Sequence, residues 1–226
     1  MSYNDGLKIP SYLTVYTCVF GNTDPLHEPL ETGGARFICF TDQPIKSEKW
    51  EIVKTKYQST PTRAARLMKA MSHRSVASEW ALWLDANFTL MVNPYSLLEH
   101  GEFVRFIHRD RKRISEEANE IIKLGKAKKA TIQTQLATYQ SDGFDTQDNK
   151  QKELSCNSAV LRRHTPAIIE LNEFWAKQLS TFSLRDQMSL DYCAWKLKVP
   201  MQAWPGNHAD NPYFKYTHYK RPVNDF

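Results

Sequence analysis

The residues best suited to chemistry stand at the end of an apolar run. Glu79-Trp80-Ala81-Leu82-Trp83-Leu84 gives way to Asp85-Ala86-Asn87, and hydrophobicity resumes at Phe88, Leu90, Met91 and Val92. A run of this kind predicts a buried strand of an α/β sheet. A carboxylate at its C-terminal end costs on the order of several kcal/mol to bury unless it is paired or metal-bound. Such strand ends are also where open α/β sheets hold their ligands. Two readings follow. Either Asp85 and Asn87 hold a divalent cation, or Asp85 caps a turn and Asn87 takes a left-handed conformation there.

Other residues offer related chemistry. Arg63, Arg66 and Lys69, with His73, recur at spacings of three and four and so share one helix face. That stripe can clamp a diphosphate or simply face solvent. Asp42 ends the run Arg36-Phe37-Ile38-Cys39-Phe40-Thr41 and can contact a base or ribose, or open the turn at Pro44. Ser183-Leu184-Arg185-Asp186 fits a capping box, in which Asp186 would only cap a helix. His208 and His218 stand in an aromatic tail, each facing solvent or serving as a ligand.

The elements that must position these groups follow from pattern. Residues 12–20 are rich in β-formers and end at Gly21-Asn22, a strand and turn. A first strand ending in a glycine turn opens many nucleotide-binding α/β domains, and it is equally an ordinary strand exit. Residues 36–42 and 50–53 read as further strands. Thr60-Pro61 and Thr165-Pro166 each open a helix, because Thr caps well and Pro suits the first helical position. Residues 103–107 read as a strand, and residues 114–124 as a helix with an acidic start that suits its dipole. Residues 131–139 continue as helix. Residues 154–161 are a strand carrying small polar side chains. The helix after Ser183 shows Leu184, Met188 and Trp195 on one face. Residues 141–152 are polar and read as a mobile loop, a candidate lid. The tail, 204–226, has six aromatics and no period.

Bulk properties narrow the class. The 226 residues suit one large domain, 1–226, or a domain with a lid, and 41% hydrophobic residues suffice for a core. No apolar run is long enough to span a membrane. The first residues lack the basic and apolar regions of a signal peptide. Cys18, Cys39, Cys156 and Cys193 form no CxxC pair and read as reduced thiols of a cytoplasmic protein. The net charge is +5, and from Arg105 to Lys129 nine Lys or Arg face four Asp or Glu. Such a block suits phosphate-rich ligands, from a nucleotide diphosphate to DNA, or a solvated helix surface.

The order of these features resembles the nucleotide-sugar glycosyltransferases of the GT-A fold. It is most similar to the glycosyltransferase-like family of the plant turgor-regulation-defect and mucilage-related proteins. The residues that carry the resemblance are Tyr16-Thr17-Cys18-Val19-Phe20-Gly21, Phe40-Thr41-Asp42, Arg63-Ala64-Ala65-Arg66 with Lys69 and His73-Arg74, and Trp83-Leu84-Asp85-Ala86-Asn87. His108-Arg109 to Glu117, Leu161-Arg162-Arg163-His164 and Ser183-Leu184-Arg185-Asp186-Gln187 complete it. More distantly the chain resembles the retaining family 8 glycosyltransferases, whose Asp-x-Asp motif and C-terminal His bind manganese. Here the second acid is Asn87, an amide with less charge to offer.

The resemblance implies a single Rossmann-like GT-A domain, with a mixed, mostly parallel sheet flanked by helices and a tail closing over the site. It implies a metal-dependent transfer, with retention, from a UDP-type sugar donor to a hydroxyl acceptor. Mn2+ or Mg2+ would sit on Asp85, Asn87 and His218, with His208 as the alternative to His218. Thr17, Phe20, Gly21, Asp42, Arg63, Arg66, Lys69, Asn157 and Lys220 would hold the donor. Asp186 and Gln187 would lie near the sugar and its anomeric carbon. Charge builds on the departing diphosphate, so a hard dication and nearby cations suit it. Two alternatives stand beside this reading. The acceptor could be a hydroxymethylated pyrimidine in DNA, as the basic block suggests. Alternatively, the chain could be a non-catalytic binding module of this fold, as Asn87 allows.

Overall fold

A computed structural model describes residues 12–21, 25–144 and 153–218. In chain order the elements are β1 (Leu13–Val19), β2 (Arg36–Thr41), β3 (Glu51–Lys54), α1 (Pro61–Ala70), α2 (Ser72–Ser75), β4 (Trp80–Leu84), β5 (Phe88–Leu90) and β6 (Phe103–Ile107). There follow α3 (Ile114–Lys123), α4 (Lys129–Ser141), β7 (Ser155–Arg163), α5 (Pro166–Thr181), α6 (Leu190–Leu197), β8 (Gln202–Ala203) and β9 (Phe214–Tyr216). Two 3-10 turns, Pro94–His100 and Asp186–Met188, link them.

Seven strands form one mixed sheet in the order β3-β2-β1-β4-β7-β6-β8. β1 to β4 run parallel, β7 lies antiparallel between β4 and β6, and β8 is parallel to β6. This is the α/β, Rossmann-like arrangement of the GT-A fold. The strand order turns back at β1, whose two neighbours are β2 and β4, so a crevice opens beyond the C-terminal ends of β1 and β4.

The sheet's two faces are covered differently. On one, Tyr16, Ala81, Trp83 and Val160 pack with Ala70, Ile121, Trp175 and Leu179 from the helices. On the other, Val15, Leu82, Leu84 and Leu161 meet Phe88, Leu90, Trp204 and Phe214. β5 and β9 pair there as a separate two-stranded antiparallel sheet. The tail is therefore less irregular than its sequence suggests. Three of its residues gain their strand conformation from a partner distant in sequence, which no local period can reveal.

Both Thr-Pro signals open helices. The Thr60 side chain accepts from Arg63 N, and that of Thr165 from Ile168 N. The capping box at Ser183 does not form. Ser183 Oγ donates to Gln135 Oε1 at 2.9 Å, Asp186 sits in the 3-10 turn, and α6 starts only at Leu190. Of the polar stretch 141–152, Ser141 closes α4, while 145–152 lie outside the described residues. All four cysteines are free thiols.

Candidate active site

β4 is apolar and buried throughout, so its chain can leave the sheet only at a polar break. Asp85 to Phe88 supplies it as a tight turn: Phe88 N donates to Asp85 O at 2.9 Å. Asp85 N in turn donates to Ser158 O at 2.8 Å, extending the β4–β7 ladder. The turn needs no left-handed residue at Asn87, since Lys198 is the one non-glycine residue at positive φ among the described residues. Nor does the Asp85 carboxylate cap the turn. Its Oδ1 accepts from the Trp83 indole Nε1 at 2.7 Å and pairs with Lys69 Nζ at 3.1 Å.

Lys69 is the centre of the arrangement. It lies in the last turn of α1, is 1% exposed, and its ammonium also meets Asp186 Oδ2 at 2.9 Å. Arg66, one turn earlier, reaches the same oxygen at 3.0 Å. Two carboxylates from distant parts of the chain thus share one ammonium, and the guanidinium adds a second positive charge. Burial alone would push the Asp186 carboxyl up, but Arg66 and Lys69 outweigh it and hold the group well below the ordinary carboxylate range. Asp186 is therefore an anion throughout the neutral range.

Arg66 and Asp85 border an open cleft, lined also by Phe20, Trp83 and Asn87 among others. Its far wall is the turn after β1. Gly21 has φ +68°, and a Cβ there would stand 2.8 Å from Pro61 Cγ, so the close approach of the turn to α1 requires glycine. Gly21 N donates to Asp42 Oδ1 at 3.1 Å, and Tyr57 OH donates to Asp42 Oδ2 at 2.6 Å. Phe20 and Tyr57 rings meet at 4.8 Å, so an aromatic pair and a carboxylate stand together at the ends of β1 and β2. Burial alone would raise the Asp42 carboxyl, but hydrogen bonds from Tyr57, Gln43 and Gly21 together outweigh it and lower the group. Its hold on Tyr57 pushes that phenol up to about 12.

Phe20, Arg66, Asp85 and Asn87 thus share the cleft wall, and Lys69 and Asp186 meet behind them. Thr17 and Asn157 are buried, and none of their side-chain polar atoms has a partner. Arg63 leaves the stripe of Arg66 and Lys69 and donates outward to Ser180 O at 3.5 Å. His73 turns instead to Glu173 at 2.8 Å. Gln187 is half-buried in the 3-10 turn beside Asp186. Thr217 N donates to Asn87 O at 2.9 Å, which brings the exposed His218 next to the turn. His208 stacks edge-on against Tyr216, and burial, then Arg109, pull its imidazole down despite the opposing pull of Asp110 and Asp85. Lys220 lies outside the described residues.

Two contributors escaped sequence reasoning. Tyr57 is a lone aromatic in the polar stretch 55–59, a composition in which an aromatic side chain is worth noting but carries no spacing signal. The indole of Trp83 could be read only as core, although its nitrogen fixes Asp85.

Fold and cleft together define an α/β domain of the GT-A, Rossmann-like kind, with an acidic and cationic cluster at the strand ends. The chain belongs to the TOD1/MUCI70 glycosyltransferase-like family: residues 39–219 match that domain. An Arabidopsis thaliana protein named probable hexosyltransferase MUCI70 is 25% identical over 138 residues. That stretch is 56% of this chain and 24% of the Arabidopsis protein, so the chain spans well under half the length of this relative.

Proposed function

We propose that the chain transfers a hexose, with retention, from a nucleoside-diphosphate donor of the UDP type to a hydroxyl acceptor. The observation that carries this reading is the convergence of Asp85 and Asp186 on Lys69, with Arg66 on the cleft wall. Phe20, Tyr57 and Asp42 suit a nucleoside: rings for the base, a carboxylate for its N–H or the ribose hydroxyls. Arg66 faces the cleft where a diphosphate would lie, and its planar fork suits phosphate oxygens. Transfer breaks the bond from the anomeric carbon to the diphosphate oxygen, which keeps the electron pair. The acceptor oxygen forms the new bond, and its proton passes to the departing diphosphate. Arg66 would stabilise the charge that grows on that group, and the ionised Asp186, behind the cleft wall, would act through its field on the positive charge that grows on the sugar.

A dication fits this site in a limited way. Among the described residues no three His, Cys, Asp or Glu side chains gather to hold a metal by themselves. Asp85, Asn87 and the adjacent His218 offer a carboxylate, an amide oxygen and an imidazole. That set suits Mn2+ or Mg2+ only if diphosphate oxygens and water complete the shell, as is common at phosphate sites. When bound, the ion would neutralise charge on the leaving diphosphate. The chain's own part is to keep Asp85 oriented through Trp83 and Lys69.

Incubation with a panel of nucleotide-sugars, with Mn2+, Mg2+ or a chelator, and mass-spectrometric detection of products tests the proposal. We expect slow donor hydrolysis with at least one UDP-hexose, stimulated by the metal and lost in Asp85→Ala. Absence of binding to every donor, in thermal shift as well as turnover, would favour a non-catalytic module. An acceptor other than DNA is favoured by the fate of the basic block. Arg105, Arg109, Arg111, Arg113 and Lys123 lie within ion-pair distance of Glu153, Asp110, Glu117, Glu116 and Glu120 respectively. Tight, salt-sensitive binding of hydroxymethylated duplex would reverse that preference.

A further inference from the structure

Arg162 is a charge in an unusual place. It lies on β7 in the middle of the sheet, opposite Ala81 of β4 and Phe103 of β6, and is 0% exposed. A buried guanidinium normally faces a carboxylate. Here no ion pair to Arg162 is present among the described residues, and its partners are neutral oxygens. Nη1 donates to Ala70 O at 2.9 Å and to Asn172 Oδ1 at 2.8 Å. Nη2 donates to Lys69 O at 2.6 Å and to Tyr16 OH at 2.8 Å. The guanidinium also lies 5.8 Å from the centre of the Trp175 ring.

The two carbonyls are those that end α1. A helix leaves its last carbonyls without partners and carries partial negative charge there. At this end the chain breaks at Met71 and starts α2 at once, so there is no room for a glycine cap. Arg162 supplies the missing donors and the compensating charge from the neighbouring sheet. Tyr16 OH adds a second donor to Lys69 O, at 3.1 Å. Burial pushes that phenol up to about 12, so it remains a neutral donor. Lys69 is therefore gripped at both ends. Its carbonyl is held by Arg162 and Tyr16, and its ammonium spans Asp85 and Asp186.

We infer that Arg162 is a positioning residue for glycosyl transfer: it fixes the last turn of α1 so that Lys69 can bridge Asp85 and Asp186. The inference rests on the transfer proposed above. A lysine at 162 keeps the charge but not the planar fork that serves four acceptors at once. Asn172 extends the grip to α5 and also donates to Ser72 Oγ at 3.2 Å, so Arg162 ties β1, α1, α5 and β7 together and Asn172 adds α2.

A double-mutant cycle decides whether Arg162 acts through Lys69 or only through the fold. The variants are Arg162→Lys, Lys69→Gln and the pair, assayed for kcat and donor KM on soluble protein, with the folded fraction measured by urea unfolding. For Arg162→Lys we expect kcat per folded molecule to fall about 10- to 100-fold with donor KM changed less than about 3-fold, the pattern of an interaction expressed in the transition state. In the Lys69→Gln background the same change should cost less than about 3-fold, because residues acting through one another are non-additive. Equal losses in both backgrounds, or a loss explained by unfolded protein, would overturn the inference. If Arg162→Lys does not fold, Tyr16→Phe replaces it in the cycle and is expected to show the same non-additivity at about 3- to 10-fold. Unchanged kcat in Lys69→Gln alone would count instead against the proposed transfer site, whatever Arg162 does.

Discussion

Asp186 and Asp191 follow one another on the same short stretch, and both are nearly sealed from solvent, at 3% and 4% exposure. Their carboxyls are nonetheless driven in opposite directions. Burial pushes both up. For Asp186 the contacts with Arg66 and Lys69 win, and the group is held low. For Asp191 burial wins over hydrogen bonds from Ser155, and the group is raised. The nearest cation, Arg105, reaches Asp191 through a hydroxyl: its Nε donates to Ser155 Oγ at 3.2 Å, and that hydroxyl donates to Asp191. Direct contact with a cation keeps a buried carboxylate ionised. With its cation one hydroxyl away, the other carboxyl is left raised and ties β7 to α6 through Ser155.

The most severe way to test this contrast is to remove the shared cation. Lys69→Met leaves Asp85 without its charge partner and Asp186 with Arg66 alone, and should cost about 3–5 kcal/mol in urea unfolding. A loss under about 1 kcal/mol would mean the bridge is weak in solution, as exposed pairs are. Next comes a paired substitution. Asp186→Asn should lower transfer by about 100- to 1000-fold, the scale of removing a preorganised charge. Asp191→Asn retains an acceptor for Ser155 and should leave kcat within about 2-fold, as changes away from the reacting groups usually do. Similar losses in both would erase the distinction.

The pH dependence has opposite signs for the two acids. Asp186 has a lowered folded pKa, so its contribution to stability is present above its unfolded value and is lost as pH falls below about 4. Asp191 has a raised folded pKa, so its contribution is greatest in acid and declines as pH rises above about 4 toward its folded value. Unfolding curves across pH should show wild type losing stability relative to Asp191→Asn over that rise. A flat difference would show that Asp191 is already ionised at low pH. The smallest effect concerns the relay: Ser155→Ala should cost about 1–2 kcal/mol, since it removes one hydroxyl and leaves the backbone N–H of residue 155 on the acid.

Much of the fold was legible because its strands are apolar runs and its helices start with Thr-Pro. Asp85 was legible for the same reason: a carboxylate ending a buried strand demands a partner. What the sequence could not show is which partner. Ser183-x-x-Asp186 before an apolar segment has the pattern of a cap, and only the arrival of α1 turns Asp186 toward Lys69. The stripe Arg63, Arg66, Lys69 predicts one face, yet the face meets both a cleft and an outer surface, and its members divide between them. β9 was invisible because a three-residue strand has no period of its own. Arg162 falls within the stretch Leu161-Arg162-Arg163-His164, but a cation in a strand gives no sign that its acceptors are the carbonyls of a helix.

The antiparallel strand at the heart of the sheet bears on how the molecule is made. β4 finds one neighbour, β1, early in synthesis. Its other edge waits for β7, where Leu84 meets Ala159 and Trp80 meets Arg163. Until the ribosome has delivered that segment, an apolar strand stands with one side unpaired, an open edge that invites association with other chains. Such long-range pairing also slows folding, because loop closure must come before its reward. Chains ending before residue 155 should therefore aggregate rather than persist as a smaller soluble fold, and arrival of β7 should be the step that commits the nascent protein.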